Sequence, residues 1–378
     1  LHPHPPVRPR LSIAALIVAA VSLVASADAR VGETAKAGEP LSCRQVVSAS
    51  GASIEWTAGW MIPTTAGSRD TLDAWCRGVG PSVFEVPARS VRWTAGGPLA
   101  VVSWNVNVGA GDLAEFVSDL RAGRFSNGHR VEHFVLLIQE ALRTGPMVPA
   151  PAPGQAGARR LLRGPTRTDV VAFARNAGLS LFYVPSMRNG RANDAAPEDR
   201  GNAVLSTLTL ADARAVELPF ERQRRVAAVA SVGDAGSRDK VAVASVHFDP
   251  FVGRRKLWLF GAAGARARQA RALVRALPAS PPLVVGGDLN TWLGSGEPAL
   301  AELTRMSGQR PRAEKGTFWT GAVLDYLFFR VPDRWRPAYD RARSTYGSDH
   351  YPLVGWIGPT PAPMAGESRQ SDRRAGLP

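Results

Sequence analysis

PLVVGGDLN (282–290) is the stretch whose reading decides the fold of this chain. Leu283, Val284 and Val285 run into a glycine pair and end on a carboxylate and a carboxamide, Asp288 and Asn290. A short apolar run bounded by turn residues predicts a buried strand. A polar group at its end falls on the rim of a sheet, where ligands of open α/β folds sit. Five further runs repeat the design. LAVVSWNVN (99–107) carries Asn105, FVLLIQE (134–140) ends on Glu140, and VAVASVHFD (241–249) carries His247. LDYLFF (324–329) carries Asp325, and GSDHYPLVGW (347–356) carries Asp349 and His350. A single Asp or Asn after a strand is most often a turn residue or a cap. Six in order predict one site assembled from distant segments.

The stretches between these strands read as helices and loops, so an α/β fold is expected over residues 97–358. DLAEFVSDLRAG (112–123) spaces Leu113, Phe116, Val117 and Leu120 along one helical face, with Asp112 as N-cap and Gly123 as stop. KLWLFGAAGARARQARALVRAL (256–277) predicts a second helix, with Arg266, Arg268, Arg271 and Arg275 on a solvated face. Residues 145–160 read as a Pro/Ala/Gly loop, and residues 359–378 as a disordered tail without periodicity.

Hydrophobic residues make up 45% of the 378, enough for a sizeable core, and 37 Gly with 30 Pro suit a loop-rich fold. The net charge of +14 favours anionic partners such as nucleic acid, phospholipid headgroups or small phosphates. Lys occurs only at 36, 240, 256 and 315, so the basic charge is almost all arginine and reflects coding bias as readily as function.

Residues 1–29 have the layout of a signal peptide: Arg8 and Arg10, the apolar stretch 11–25, and an A-x-A exit at Ala27-Asp28-Ala29, predicting a mature start at Arg30. The stretch is shorter than a spanning helix needs. A secreted or periplasmic protein without integral membrane association is expected, and there the two cysteines, Cys43 and Cys76, predict one disulfide. That bridge would pin the N-terminal part to itself, away from the site. Residues 30–96 read as a lead-in and a small β-rich appendage, with S-x-x-W-T-A-G occurring at Ser53 and again at Ser90.

WNVN (104–107), QE (139–140), GNAVLS (201–206), SVHF (245–248), GGDLNTW (286–292), LDYLF (324–328) and SDHYP (348–352), in this order, resemble the endonuclease/exonuclease/phosphatase superfamily. The resemblance covers about 97–358 and implies a deoxyribonuclease I-like, four-layer α/β sandwich: two packed mixed β-sheets flanked by helices. It implies Glu140 as a metal ligand supported by Asn105, with Asp349 as a second ligand or an orienter of the attacking water. Asp325 and His350 resemble the family's carboxylate–imidazole pair. His350 is then the general base or a stabiliser of the phosphoryl transition state; the competing assignment makes Asp288 the base, with Asn290 on a phosphoryl oxygen. His247 matches a histidine that contacts phosphate or assists the leaving group. Asn202 orients the site, and Arg225 is a candidate phosphate clamp in competition with Arg222 and Arg224. Gly201 relieves a crowded backbone, and Trp292 reads as packing in preference to base stacking.

Hard carboxylate and carboxamide oxygens suit Mg²⁺ or Mn²⁺, whereas zinc would call for more His or Cys. The expected activity is therefore hydrolysis of an anionic phosphoester, with nucleic acid first. A sphingomyelinase-like or inositol-phosphate phosphatase is the alternative, and a non-catalytic binding module the third class. Asn107, where the apurinic-nuclease branch places an acid, argues against a dedicated repair enzyme. Oligomeric state is not legible.

Overall fold

The computed structural model describes residues 42–52, 60–61, 66–87, 93, 97–150, 167–189, 197–233, 240–250, 258–280, 282–309 and 315–358. The expected signal peptide and lead-in, both S-x-x-W-T-A-G segments apart from Trp93, most of the 145–160 stretch and the expected tail lie outside these residues.

In chain order the strands are β1 (Val46–Val47), β2 (Trp60–Met61), β3 (Ser82–Glu85), β4 (Leu99–Asn105), β5 (Phe134–Thr144), β6 (Ser180–Asn189) and β7 (Glu198–Ser206). They continue as β8 (Leu210–Glu217), β9 (Val226–Val232), β10 (Val241–His247), β11 (Leu283–Asp288), β12 (Asp325–Arg330), β13 (Ala338–Arg341) and β14 (Leu353–Ile357). The helices are α1 (Ala66–Cys76), α2 (Leu113–Arg121), α3 (Val170–Ala177), α4 (Trp258–Ala276) and α5 (Pro298–Ser307). Eight strands form one sheet in the order β1-β3-β6-β7-β5-β4-β14-β13, and six form a second in the order β12-β11-β10-β9-β8-β2. Both are mixed: β4 runs parallel to β5 and antiparallel to β14, while β10 runs parallel to β11 and antiparallel to β9.

Three apolar clusters fix the layering. Val101, Val135, Leu137 and Val204 of the first sheet meet Ala228, Val243, Val284 and Leu327 of the second in a central core. On the outer face of the first sheet, Val102, Leu136 and Ile138 pack under Leu113, Phe116, Val170 and Ala174 of α2 and α3. On the outer face of the second, Val229, Ala244 and Val285 pack under Ala270, Leu273 and Leu303 of α4 and α5. This is the expected four-layer sandwich. Strands covered on both faces have no polar face to alternate, which is why β4, β10 and β11 read as continuous apolar runs.

The glycine pair in β11 shows how closely the layers approach. A Cβ at Gly286 would meet Leu137 and Ser103 of the opposite sheet within 3 Å, and one at Gly287 would lie 2.0 Å from the Val246 carbonyl oxygen. The site end of β11 can thus lie tight against β10 and β4 only because both positions lack a side chain.

α2 forms where its periodicity predicts, with the Asp112 side chain accepting a hydrogen bond from the Glu115 amide. α4 also forms, but one arginine departs from the expected solvated face. Arg266 is 0% exposed and pairs with the buried carboxylate of Glu297, which precedes α5. Arg268 and Arg271 do lie outward, on Glu221 and Glu302. Helical spacing alone does not reveal a neighbouring helix that supplies a counter-charge.

The N-terminal part is not an appendage. β1 and β3 extend the first sheet beyond β6, and β2 pairs with β8 at the edge of the second. Cys43 and Cys76 form a disulfide across this part. Nor does it stand away from the site strands: the Gly80 amide donates to the buried Asp199 carboxylate on β7, which also pairs with Arg143 of β5.

Candidate functional site

Polar residues of both sheets converge on one rim; Asn105, His247, Asp288 and Asp325 stand at strand ends, whereas β5 runs on to Thr144 and Glu140, like Asn202 of β7, lies within its strand. β4 supplies Asn105, β5 Glu140, β7 Asn202, β10 His247, β11 Asp288 and β12 Asp325, while Asp349 and His350 lie just before β14. Sheet register brings them together: His247 stands opposite Asp288 in the β10–β11 ladder, and Asp288 opposite Asp325 in the β11–β12 ladder.

Asp288 is the hub. Its Oδ2 accepts a hydrogen bond from Asn105 Nδ2 at 3.0 Å and lies 3.4 Å from His247 Nε2 and 3.7 Å from His350 Nε2. Its Oδ1 accepts the Asn290 amide at 2.9 Å. Burial raises the carboxyl to a pKa of about 7, with Asp325 adding to the rise and His350, Asn105 and Asn290 opposing it. Asn290 has a positive φ of 51° and donates its side-chain amide to the Phe248 carbonyl, so the GGDLN turn is held in one shape.

His350 Nδ1 lies 2.7 Å from Asp325 Oδ2. Burial alone would lower this imidazole, but Asp325, Asp288 and Asp349 outweigh it and raise its pKa to about 10. The ring is therefore a cation at neutral pH, with Nδ1–H donating to Asp325 and Nε2–H facing the site. Its backbone is fixed too. The His350 carbonyl accepts from Trp104 Nε1 at 3.1 Å, and its amide donates to Ser348 Oγ, which donates onward to the Asn105 carbonyl. His247 behaves in the opposite way: burial first, then Arg225, Arg200 and His350, push its pKa well below the ordinary value. Two imidazoles on one rim are thus held in different charge states.

Glu140 sits at a register break in β5, between Ile138 and Ala141, and adopts φ 51°. A bulge of this kind re-aims a side chain that a regular strand would send elsewhere. Its Oε2 accepts a hydrogen bond from Arg200 Nη1 at 3.1 Å. Glu140, Arg200, Asn202, Arg225 and His247 line a common cleft with Ser186, Gly201 and Val226. A Cβ at Gly201 would lie 1.9 Å from the Val184 carbonyl, so this floor needs glycine. Asn202 donates to the Val226 carbonyl and is buried beneath the cleft.

Of the three competing arginines, Arg225 reaches the cleft, with its Nε 3.5 Å from Asp249. Arg224 is buried elsewhere, on Glu217 and the carbonyls of Pro185 and Ser186. Arg222 borders a different surface with Glu221. Arg200 is a cleft residue the sequence reading passed over; its only signal was its place directly before GNAVLS.

The donor set suits a hard divalent cation. Burial raises the Asp349 carboxyl, His350 opposes the rise and the Glu140 charge adds to it, so Asp349 and Glu140 offer hard oxygens that feel each other's charge. Asn105 Oδ1 already accepts the Asn107 amide at 3.0 Å, which fixes its orientation and leaves one lone pair. Asp288, Asp325 and His350 also present three ligand atoms within 4.8 Å of one another and could hold a metal ion. There, however, the imidazole Nδ1 is engaged by Asp325.

Trp292 is not simply packed. It is 39% exposed, with its ring edge-on to Phe318 at 5.8 Å.

Among curated proteins none matches the sequence significantly. Solved structures align over most of the chain. An endonuclease/exonuclease/phosphatase from Beutenbergia cavernae is 17% identical, covering 71% of this chain and 73% of its own, with a TM-score of 0.49. The human Nocturnin catalytic domain with bound sulfate is 16% identical over 71% and 97%, with a TM-score of 0.43. Sphingomyelinase C from Streptomyces griseocarneus is 18% identical over 69% and 99%, with a TM-score of 0.37. Residues 102–350 match the family described as Endonuclease/Exonuclease/phosphatase family. The chain belongs to this family of phosphoester hydrolases.

Proposed function

We propose that the chain is an exported, divalent-metal-dependent phosphodiesterase that hydrolyses nucleic acid with an activated water. The observation that carries the reading is the convergence on Asp288 of Asn105 at 3.0 Å, His247 at 3.4 Å and His350 at 3.7 Å, with His350 held from behind by Asp325. A carboxyl with a pKa of about 7 stands 3.7 Å from an imidazole whose pKa is about 10. A base is most effective when its pKa lies near the working pH. This favours Asp288 as the base and His350 as the cation.

In this reading Asp288 takes a proton from water, the water oxygen attacks phosphorus, and the bond from phosphorus to the leaving oxygen breaks as that oxygen takes a proton from solvent. His350 Nε2–H, with Asn290 and Arg225, meets the negative charge that grows on the phosphoryl oxygens. Asp325 holds the His350 tautomer, and neutral His247 buttresses Asp288. Glu140 and Asp349, supported by Asn105, would hold Mg²⁺ or Mn²⁺. The cation when bound supplies the positive charge that neutralises the phosphoryl group.

Nucleic acid is favoured by the net charge of +14 and by two arginines, Arg200 and Arg225, in one cleft. Export rests on the signal-like residues 1–29 and agrees with the disulfide. No helix among the described residues is long and apolar enough to cross a membrane.

The test is a substrate panel of plasmid DNA, RNA, sphingomyelin and inositol polyphosphates, with and without EDTA. Cleavage of nucleic acid that EDTA stops and Mg²⁺ or Mn²⁺ restores is expected. Turnover confined to sphingomyelin or inositol phosphates would move the substrate to the alternative class, and activity indifferent to EDTA would remove the metal.

A further inference from the structure

The large apolar side chains exposed among the described residues are Trp292, Leu293 and Trp319, at 39%, 37% and 68%. Single exposed apolar residues are ordinary, whereas contiguous ones mark a contact surface. The two tryptophans share one support. Phe318 touches Trp292 at 5.8 Å between ring centroids, Trp319 at 6.0 Å, and His350 at 4.8 Å. One aromatic ring therefore contacts both exposed indoles and the site imidazole.

The support is rigid. The Trp319 amide donates to the Asp349 carbonyl and the Tyr351 amide to the Thr317 carbonyl, clamping the turn onto the site segment. Thr317 Oγ1 accepts the amides of both Leu324 and Asp325, and the Thr317 and Phe318 amides reach the Ala322 carbonyl. Gly321 has φ 91°, and a Cβ on Gly316 would meet the Gly321 backbone within 2.6 Å, so the turn closes on two glycines. Tryptophan held in the open on a clamped turn loses little conformational entropy when a ligand covers it.

Resting on the nucleic-acid reading above, we propose that Trp319 and Trp292, seated on Phe318, form a stacking ledge for an unpaired base beside the scissile phosphate of a single-stranded nucleic acid. The ledge adjoins His350, so a group stacked there is a near neighbour of the phosphate being cleaved. An indole offers a face that any base can stack on, which selects a base without selecting its sequence. A cation lies against the residue that follows His350. The Arg341 guanidinium stacks over the ring of Tyr351, the residue after His350, at 3.9 Å, and no carboxylate among the described residues lies within ion-pair distance of it. Such a cation suits the next phosphate along a strand. A lipid surface is the competing occupant, and the vesicle measurement below separates the two. A paired base inside a duplex is already stacked and cannot use the ledge without flipping out. Single strands and frayed ends are therefore the favoured substrates.

The experiment measures equilibrium binding by fluorescence anisotropy in EDTA. The probes are a fluorescein-labelled oligothymidylate and an abasic oligonucleotide of the same length. Wild type should bind the base-bearing strand roughly tenfold more tightly. Trp319→Ala should reduce that ratio to near one while abasic binding holds, and Trp319→Phe should recover most of it. Trp292→Ala should give an intermediate ratio. Trp319 is mostly exposed, so the variants should fold, and circular dichroism checks this. An unchanged ratio in Trp319→Ala overturns the ledge, as does equal wild-type affinity for the two strands. So does loss of binding to phosphatidylserine vesicles with the ratio intact, which would assign the surface to lipid. The hydrolysis panel is a separate measurement: failure there removes the enzymatic reading, and failure here removes only the ledge.

Discussion

Replacing Asp325 with Asn should move the alkaline limb of the pH–rate profile before it does anything else. The carboxylate lies 2.7 Å from His350 Nδ1, and it is the largest of the contributions that raise the ring against its burial. Holding an imidazole at about 10 in place of the ordinary 6.5 corresponds to a preference of about 5 kcal/mol for the protonated ring. An opposite charge in contact supplies about 4 kcal/mol at the effective dielectric of a protein site. Burial, the largest contribution, opposes the rise, so the three carboxylates together supply more than this net preference, with Asp325 the largest share. Asn keeps the shape but removes the charge, and its amide N–H can face Nδ1 and force the wrong tautomer. The alkaline limb should fall by roughly 2 to 3 pH units, and the wrong tautomer should lower kcat/KM by a further ~10²- to 10⁴-fold across the whole profile. Stability carries the same signature. The raised His350 pKa contributes stability that is fully present below about 6.5 and lost as pH rises through about 10. The variant should lose that slope. The assay is kcat/KM on a labelled oligonucleotide from pH 5.5 to 10.5, beside an NMR titration of the His350 ring that needs no turnover. A ring that still titrates near 10 in Asp325→Asn, or a rate within about threefold of wild type, would refute the reasoning.

Asp288→Asn should abolish hydrolysis and with it the acidic limb near pH 7, since the group that must lose a proton is gone; retained turnover with that limb in place would assign the base elsewhere. Gly286→Val should destabilise the fold by about 1–3 kcal/mol in urea melts, because its side chain has to displace Leu137, Ser103 and Leu327 between the sheets. Reducing Cys43–Cys76, which closes a separation of 33 residues, should cost about 2–4 kcal/mol and lower the urea midpoint; an unchanged midpoint would mean that the edge strands alone hold this part. Arg266→Ala strands the buried Glu297 carboxylate and should cost about 3–5 kcal/mol, far more than the outward Arg268→Ala.

The strands that build the sandwich were legible because burial on both faces writes itself as an unbroken apolar run, as in β4 and β11. α2 was legible because cap, period and stop all agree. The rim residues could be named from their places at strand ends, but their charge states could not. Nothing in the letters HF and DH separates a neutral His247 from a charged His350; the difference lies in which arginines and carboxylates the fold brings near each ring. Arg200 was passed over because an arginine beside an acid reads as surface, and only the bulge at Glu140 brings the pair to one cleft. β1 and β2 were hidden by their length: two residues carry no alternation, and their partners lie far along the chain.

The attachment of the N-terminal part to Asp199 bears on where this chain can be cut. The family match begins at residue 102 and ends at residue 350, and a chain trimmed to those limits looks complete by homology. It would lack the Gly80 amide and the Pro81 carbonyl that complete the Arg143–Asp199 pair, leaving fully buried charges short of partners one residue from Arg200. It would also lack β14, whose pairing covers β4 along its length from Leu99 to Ser103. The span matched by the family is thus shorter than the span tied together by these contacts, and a fragment that begins upstream of Cys43 and runs through Ile357 should outlast one cut at 102 and 350 in a urea melt.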